Sequence, residues 1–422
     1  MTGPGRAGKL PDVLMIKSPL RSLVILWVAW AILLLGYQAV IQDRLVLRKP
    51  DFALSWTPSE TGTHSQDDKP YLMDQFMNAQ VSWDSEYYLS IANGGYEDAL
   101  MRRIPIRSDG LVSQNYAFFP FYPLVMRAFA SVLGFLPLTG IGKLSLAGTI
   151  ISLLGTLGGM IALWDLLRDE LEDAGGLRAA FYLLIFPSGF FLAQVYSEGL
   201  FIGLAFGTLA LLRRKKFLWA ALLAVCATWT RAVGVALVLP IAYVALQNVD
   251  WKPPLRLQLH QPLVTRLLAI LLPLAAFLVW RFSPLGQGFV LIEDNFFSRG
   301  LFAFGPSIRS WAEAWQAMTG ANAQARIVFA LEFLTVGFAL ISCFLTLPRY
   351  PALSWYGLLV IAVCVLSGVA QSQGRYMLVV PSMYIVLSRG GRNLVFDRVW
   401  TVASVLLMGM LATLYTFDMW AG

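Results

Sequence analysis

The chain has 422 residues, of which 57% are hydrophobic and 14% charged, whereas a soluble domain carries about 25% charged residues. Apolar runs of about 20 residues, the length that crosses a bilayer, recur from residue 23 to the C-terminus. This composition excludes a soluble globular domain and predicts an all-α polytopic membrane protein. The net charge of +7 does not indicate a nucleic-acid partner, because the basic residues form short clusters between apolar runs instead of one continuous stripe.

The first predicted element is a membrane helix over residues 23–41, preceded by the polar and basic segment 1–21. The apolar run is too long for a signal peptide, so we expect this helix to be retained. The basic segment is predicted to be cytoplasmic. An external loop of about 100 residues, 42–143, follows, because the apolar stretch 118–136 contains two prolines and an arginine and suits a helix lying along the membrane interface.

The basic clusters at 213–216 and 389–398 both fall on the cytoplasmic side of the predicted topology. A second external loop is predicted at 283–326. One integral membrane domain, 1–422, then has about eleven spans, with the N-terminus inside and the C-terminus outside. The spans predicted after the first loop are 144–167, 179–195, 199–212, 217–229, 233–246, 267–282, 327–347, 353–369, 376–387 and 399–417.

Carboxylates are the expected source of acid–base chemistry. The three cysteines lie inside apolar runs without paired spacing, which is typical of small core residues. One of the two histidines, His260, falls in a predicted cytoplasmic loop, so neither a histidine-centred mechanism nor a histidine-rich metal site is expected. Ionisable residues at membrane depth are costly and usually functional. Four such residues emerge on the external face: Asp84, Glu198, Arg231 and Arg375.

Two segments of the first external loop carry candidate chemistry. Residues 83–96 follow a helical period that ends at a glycine pair. Asp84 lies at the start of this helix, where it acts either as a capping residue or as a general base for an acceptor hydroxyl. The aromatic and proline-rich run 115–124 is typical of an interfacial anchor, and it also suits the wall of a groove for an isoprenoid chain.

Two further segments contain the charged partners. Pro187 predicts a bend or break in a span just before Glu198. Glu198 forms a structural bridge with Arg231 in one interpretation. In the other, Arg231, Arg375 or both hold a phosphate, since guanidinium donors match phosphate oxygens. Arg375 opens a short predicted span, where a positive charge opposes the helix dipole. We therefore expect Glu198, Asp84 or an anionic ligand beside it.

The chain resembles the PIG-V-like (GPI mannosyltransferase II) family at four ordered motifs between residues 81 and 239. These are Trp-Asp-Ser-x-Tyr-Tyr-Leu-x-Ile-Ala-x-x-Gly-Tyr from Trp83, Tyr-Ala-Phe-Phe-Pro-x-Tyr-Pro-Leu from Tyr116, Phe-Pro-Ser-x-Phe-Phe-x-x-x-x-Tyr-Ser-Glu from Phe186, and Ala-Thr-x-Thr-Arg from Ala227. The likeness is weaker from there to Arg375. It implies a glycosyltransferase of the GT-C class that takes a sugar from a polyprenyl-phosphate carrier on the extracytoplasmic side.

The resemblance implies that Asp84 is the catalytic base, because it occupies the position of the acidic residue in the family's Trp-Asp motif. An inverting transfer of mannose from polyprenyl-phosphate mannose to a lipid-linked glycan or glycolipid is the expected reaction. Substrate-binding candidates are Trp83, Glu86, Tyr88, Tyr122, Tyr196, Glu198, Arg231, Gln373 and Arg375. The short cytoplasmic loops favour a bacterial plasma membrane, and the endoplasmic reticulum membrane if the source is eukaryotic.

No cofactor is expected, because no nucleotide leaves in such a step, although the aspartates of the first loop keep a divalent metal possible. These aspartates are Asp67, Asp68, Asp74 and Asp109. The expected partners are the sugar donor, the acceptor and membrane lipids. The alternatives are a transporter or flippase of a lipid-linked sugar, against which the two halves show no internal repeat, and a membrane scaffold without chemistry. An outer loop of about 100 residues is also unusual for a transporter, and the scaffold alternative does not explain why four charged residues meet at the outer face.

Overall fold

The computed structural model describes residues 18–46, 50–61, 69–106, 110–247 and 261–422. Nearly all regular structure in these ranges is helical, and the all-α prediction is confirmed. The first half contains α1 (Pro19–Arg44), α2 (Thr57–Glu60), α3 (Asp84–Gly94), α4 (Phe121–Val132), α5 (Gly140–Ile185), α6 (Glu198–Arg213), α7 (Phe217–Thr230) and α8 (Val238–Leu246). The second half contains α9 (Gln261–Phe282), α10 (Pro284–Asn295), α11 (Phe304–Thr319), α12 (Ala323–Thr346), α13 (Pro351–Val365), α14 (Gln373–Tyr376), α15 (Pro381–Gly390) and α16 (Leu394–Thr416).

A two-stranded antiparallel hairpin lies in the first predicted external loop, and the sequence pattern does not predict it. It pairs β1 (Arg103–Ile106) with β2 (Gly110–Ser113), with Arg103 opposite Ser113. The hairpin follows α3 and precedes α4 in the chain.

Five of the described helices are long and apolar enough to cross a membrane, namely α1, α5, α9, α12 and α16. Their outward faces are apolar: on α1, Ile32 and Leu33 are 66% and 72% exposed. Rows of exposed leucine and isoleucine of this kind are stable against lipid chains, not against water. The multi-pass membrane prediction is thus confirmed. The number of eleven spans stays a prediction, because several of them fall on helices of only 9 to 16 residues.

Two predicted spans are shorter as helices than the apolar runs that contain them. Helix α5 is broken at Glu172, where φ is 59° and ψ is 175°, between the predicted spans 144–167 and 179–195. Its second part ends at Ile185 and not at residue 195, because Pro187 lacks an N–H and disfavours helix in the residue before it. Likewise, the run 376–387 becomes a regular α-helix only from Pro381. Non-helical backbone at this depth is tolerated where it lines a cavity.

Helices α5 and α6 form the closest packed pair, and glycines make this approach possible. A Cβ atom at Gly155 would lie 2.5 Å from the carbonyl oxygen of Gly199, and one at Gly203 would lie 2.5 Å from that of Gly155. Larger side chains would force the helices apart, as in other small-residue interfaces of membrane helices. This contact fixes the N-terminus of α6, where Glu198 lies.

The last residues of the chain contact the first predicted external loop. The Lys69 ammonium forms a buried ion pair with Asp418, and the Ser82 hydroxyl donates to the Asp418 carboxylate at 2.8 Å. The indole N–H of Trp83 donates to the carbonyl of Met419 at 3.2 Å. These contacts hold the loop that begins α3 against the residues that follow α16.

Candidate active site

A cavity of about 1020 Å³ is lined by residues of both predicted external loops. This volume is at the upper end of the range for ligand sites, roughly 300–1,000 Å³, so it has room for more than one substrate. Its charged lining residues are Glu60, Lys69, Asp84, Glu86, Arg102, Arg231, Arg281, Glu293, Asp294, Arg299 and Arg375.

Asp84 is the first residue of α3, and its carboxylate is not used as a helix cap. The residue before the helix is Trp83, with a φ of 52°, an uncommon value for a bulky side chain. The hydroxyl of Tyr196 instead accepts the N–H of Asp84 at 3.1 Å. One of the free N–H groups of the helix start is therefore satisfied without the aspartate side chain, which lines the cavity.

A network of alternating charges contains all four residues that the predicted topology places at the external face. Arg375 donates to the Asp84 carboxylate at 2.7 Å and lies 3.3 Å from the Glu198 carboxylate. Glu198 also forms an ion pair with Arg231. Glu198 is only 1% exposed, and its place at the start of α6 is favourable for a negative charge. The structural bridge of Glu198 and the anionic partner of Arg375 are therefore both present.

Arg299 is a third arginine of this site, and it is absent from the site residues that the sequence predicts. It donates to the Tyr376 hydroxyl at 2.8 Å. The guanidinium groups of Arg231, Arg299 and Arg375 lie 5.1, 5.3 and 5.1 Å from the centre of the Tyr376 ring. We call these three residues the arginine group. Among the described residues, only the Asp84 and Glu198 carboxylates lie within 4 Å of these guanidinium groups, so the three arginines outnumber the carboxylates that they contact.

The chain reaches Arg299 through a tight turn between α10 and α11. Ser298 has a φ of 53°, and its carbonyl approaches Gly368 so closely that a Cβ there would lie 2.6 Å from the oxygen. Gly368 itself has a φ of 109°, which favours glycine. The second predicted external loop thus contacts the segment before α14. The signal that points to Arg299 in the sequence is its position in a loop assigned to the same face as Asp84.

Glu332 is a second site residue that sequence reasoning missed. It is a buried carboxylate within the apolar helix α12 and accepts the main-chain N–H of Gly374. The Ser188 hydroxyl donates to the carbonyl of the same Gly374 at 2.8 Å. The two contacts fix the backbone beside Arg375. A glutamate inside a predicted membrane span itself indicates a functional residue. This feature of the sequence identifies Glu332.

The other predicted substrate-binding residues divide into two sets. Trp83, Glu86, Tyr88 and Tyr196 line the cavity together with Asp84, Arg231 and Arg375. Tyr122, Glu198 and Gln373 lie behind its wall: the Tyr122 hydroxyl donates to the carbonyl of Gly148 at 3.0 Å, and the Gln373 side chain donates to that of Val369 at 3.0 Å. These positions support the lining residues and leave Tyr122 and Gln373 without access to a ligand.

Among the described residues, no group of three or more His, Cys, Asp or Glu side chains has the spacing of a metal site. Asp74 accepts the main-chain N–H of Phe76 at 2.9 Å and the hydroxyl of Thr139, so it stabilises the loop that precedes α5. The aspartates Asp67, Asp68 and Asp109 and both histidines, His64 and His260, lie outside the described residues.

Burial raises the pKa of the Glu86 carboxyl to about 8, although Lys69 opposes the shift. Between about pH 4.5 and 8 the folded protein therefore holds more protons at Glu86 than the unfolded chain, and stability falls as the pH rises through this window. We expect Glu86→Gln to lose less thermal stability than the wild type between pH 5.5 and 8.5, by about 2–5 °C in Tm. Glu97→Gln is the matched control, because Glu97 is 60% exposed. Parallel Tm curves for Glu86→Gln and the wild type would contradict the prediction.

Comparison with known proteins gives a family and several distant relatives. The model of the mannosyltransferase (PIG-V) family matches residues 28–282. GPI alpha-1,6-mannosyltransferase 2 of Mus musculus is 30% identical over 168 residues, and that of Homo sapiens is 30% identical over 172 residues. Each match covers 39% of this chain and 31% of the relative, so the similarity spans about a third of the length of these curated relatives.

Among solved structures, ArnT from Cupriavidus metallidurans bound to undecaprenyl phosphate is similar with a TM-score of 0.43 and 14% identity, over 94% of this chain and 76% of that one. AglB from Archaeoglobus fulgidus, in complex with an inhibitory peptide and a dolichol-phosphate, has a TM-score of 0.39 and 14% identity, over 92% of this chain and 55% of that one. The family match confirms the resemblance that the four motifs indicate.

Proposed function

The chain belongs to the mannosyltransferase (PIG-V) family, and from this premise we propose that it is a GT-C type enzyme that uses polyprenyl-phosphate mannose. The acceptor is a lipid-linked glycan or glycolipid, and the reaction takes place on the extracytoplasmic face. The observation that carries the proposal is the single cavity in which Asp84 lies beside the arginine group. A carboxylate next to excess positive charge is the arrangement that a proton acceptor and a phosphate leaving group require.

The proposed step is a single displacement with inversion. Asp84 accepts the proton of an acceptor hydroxyl, whose oxygen forms a bond to the anomeric carbon of mannose. The bond between that carbon and the phosphate oxygen breaks on the opposite side, and its electron pair leaves with the phosphate. Arg375 donates to Asp84 at 2.7 Å, which orients the carboxylate before the proton arrives.

The arginine group is the proposed binding site for the phosphate. Guanidinium groups bind phosphate oxygens through paired N–H donors, and the leaving polyprenyl phosphate gains negative charge as the sugar departs. Three arginines paired with two carboxylates supply the compensating charge. In this proposal the arginines supply the positive charge that a divalent cation would otherwise supply to the phosphate, so the step requires no metal.

An apolar wall of the same cavity suits the prenyl chain of the donor. Phe119 stacks on Trp280 with ring centres 4.0 Å apart, and Phe289 lies edge-on to both rings. These side chains come from the aromatic run of the first loop and from α9 and α10. The sequence leaves that run as either an interfacial anchor or a groove wall, and its place in the cavity supports the second alternative.

The proposal is tested with purified protein in nanodiscs, short-chain polyprenyl-phosphate mannose and a panel of mannosylated lipids. We expect mannose transfer from this donor and none from a nucleotide-linked mannose. Arg299→Gln is expected to weaken donor binding by about 10–100-fold, because it removes a charged hydrogen-bond donor to the phosphate. Arg299→Lys is expected to retain part of the affinity, since it keeps the charge and loses the fork of donors.

The matched control for Arg299 is Arg309→Gln, an exposed arginine of the same loop that does not line the cavity. Equal donor affinities of Arg299→Gln and Arg309→Gln would remove Arg299 from the phosphate site. Donor binding followed by movement of the intact lipid across the membrane, without transfer to any acceptor, would replace the proposal by the flippase alternative.

A further inference from the structure

The cavity contains a second polar group, which has no role in the proposed step. Its members are Trp56, Glu60, Lys69, Trp83 and Arg102, and we call them the tryptophan cluster. Among the described residues, no hydrogen bond or ion pair joins this cluster to the arginine group. The two groups meet only at Asp84, which follows Trp83 in the chain and pairs with Arg375. The cavity thus has two chemically different regions, with the proposed base at their junction.

Two tryptophans give the cluster an apolar corner. The rings of Trp56 and Trp83 lie 5.7 Å apart at an angle of 88°. The Lys69 ammonium lies 4.8 Å from the centre of the Trp83 ring, and the Trp83 N–H is bound to Met419, so this ring is held in place. Trp56 is 41% exposed although it lines a cavity. Its ring therefore retains apolar surface that a ligand can cover.

The charges of the cluster are balanced, unlike those of the arginine group. Lys69 pairs with the buried Asp418, and Arg102 lies 3.5 Å from Glu60. No positive charge remains for a phosphate. The Glu60 carboxylate is 3.9 Å from Lys69, and both of its contacts are longer than ordinary charged hydrogen bonds of about 2.7–2.9 Å. These groups retain capacity to bind hydroxyl groups.

We propose that the tryptophan cluster binds a neutral pyranose ring of the acceptor, with Trp56 as the surface on which the ring stacks. A sugar ring has an apolar C–H face that packs on an aromatic ring, and hydroxyl groups that require both donors and acceptors. The cluster offers both kinds of contact and no excess charge. Glu86, which lines the same cavity and accepts one main-chain N–H at 3.3 Å, adds a further acceptor. This assignment rests on the proposed function, and it places the attacking hydroxyl beside Asp84.

The test compares Trp56→Ala with Trp219→Ala in nanodiscs. Trp219 is 64% exposed on α7 and does not line the cavity, so it controls for the loss of an exposed indole at a membrane protein surface. Three quantities are measured: the acceptor KM in mannose transfer, the rate of donor hydrolysis without acceptor, and the Kd of octyl α-mannoside. We expect Trp56→Ala to raise KM and Kd by about tenfold and to leave donor hydrolysis within about twofold of the wild type.

Each outcome decides the assignment. An acceptor KM and an octyl α-mannoside Kd equal to those of Trp219→Ala would overturn it and leave Trp56 as an interfacial anchor. A fall in donor hydrolysis as large as the fall in transfer would also overturn it, because Trp56 would then contact the donor. If the wild type transfers no mannose from any polyprenyl donor, the proposed function fails. The Kd comparison then still decides whether the cluster binds a sugar.

Discussion

Mannose transfer by Asp84→Asn is expected to fall by about 10²–10⁴-fold in kcat, the contribution of a positioned general base. Asparagine has the size of aspartate and still accepts a hydrogen bond from Arg375, which now donates to the carboxylate at 2.7 Å. It has almost no affinity for a proton. The variant is therefore expected to fold, to bind the donor, and to fail in the chemical step.

The comparison variant for Asp84 is Asp294→Asn. Asp294 is a second aspartate of the same cavity, exposed and without an ion-pair partner among the described residues. We expect its kcat to stay within about twofold of the wild type. The Tm of both variants is measured in the same detergent, so that loss of folding is separated from loss of chemistry. Transfer by Asp84→Asn at the rate of Asp294→Asn would show that another group accepts the proton.

The sequence predicts the meeting of Asp84, Glu198, Arg231 and Arg375 because topology alone brings them to one face. Positive clusters orient every predicted span, and each span then delivers the charged residue at its end to a predicted side. Topology places these residues on one surface, and it does not decide which of them touch.

The parts of the site that sequence did not predict depend on contacts between distant segments. Lys69 and Asp418 are 349 positions apart, and no local pattern relates a lysine in a polar loop to an aspartate after the last helix. Arg299 lies in a loop without regular periodicity, and a turn at Ser298 directs it to the cavity. The helix ends at Ile185 and Pro381 also differ from the apolar runs, because hydropathy reports burial in lipid or protein, not helical geometry.

Glu198→Gln is expected to have the largest effect on stability of any substitution in the site. Glu198 is 1% exposed and pairs with both Arg231 and Arg375. Removal of one partner from a buried ion pair costs about 3–5 kcal/mol, because the remaining charge is left without compensation. Here two arginines lose a carboxylate at once, and among the described carboxylates Asp84 alone remains within 4 Å of the arginine group.

The comparison variant for Glu198 is Asp165→Asn, because Asp165 is a buried carboxylate that pairs with Arg214 at 2.6 Å, outside the cavity. We expect both variants to have a lower Tm and only Glu198→Gln to lose mannose transfer as well. In Glu198→Gln the arginines have one carboxylate fewer, so bound polyprenyl phosphate neutralises more positive charge than in the wild type. This ligand should therefore raise the Tm of Glu198→Gln by more than it raises the Tm of the wild type. If Glu198→Gln unfolds at the wild-type temperature, Glu198 is not what offsets the arginine charges, and the phosphate site must be neutralised by another group.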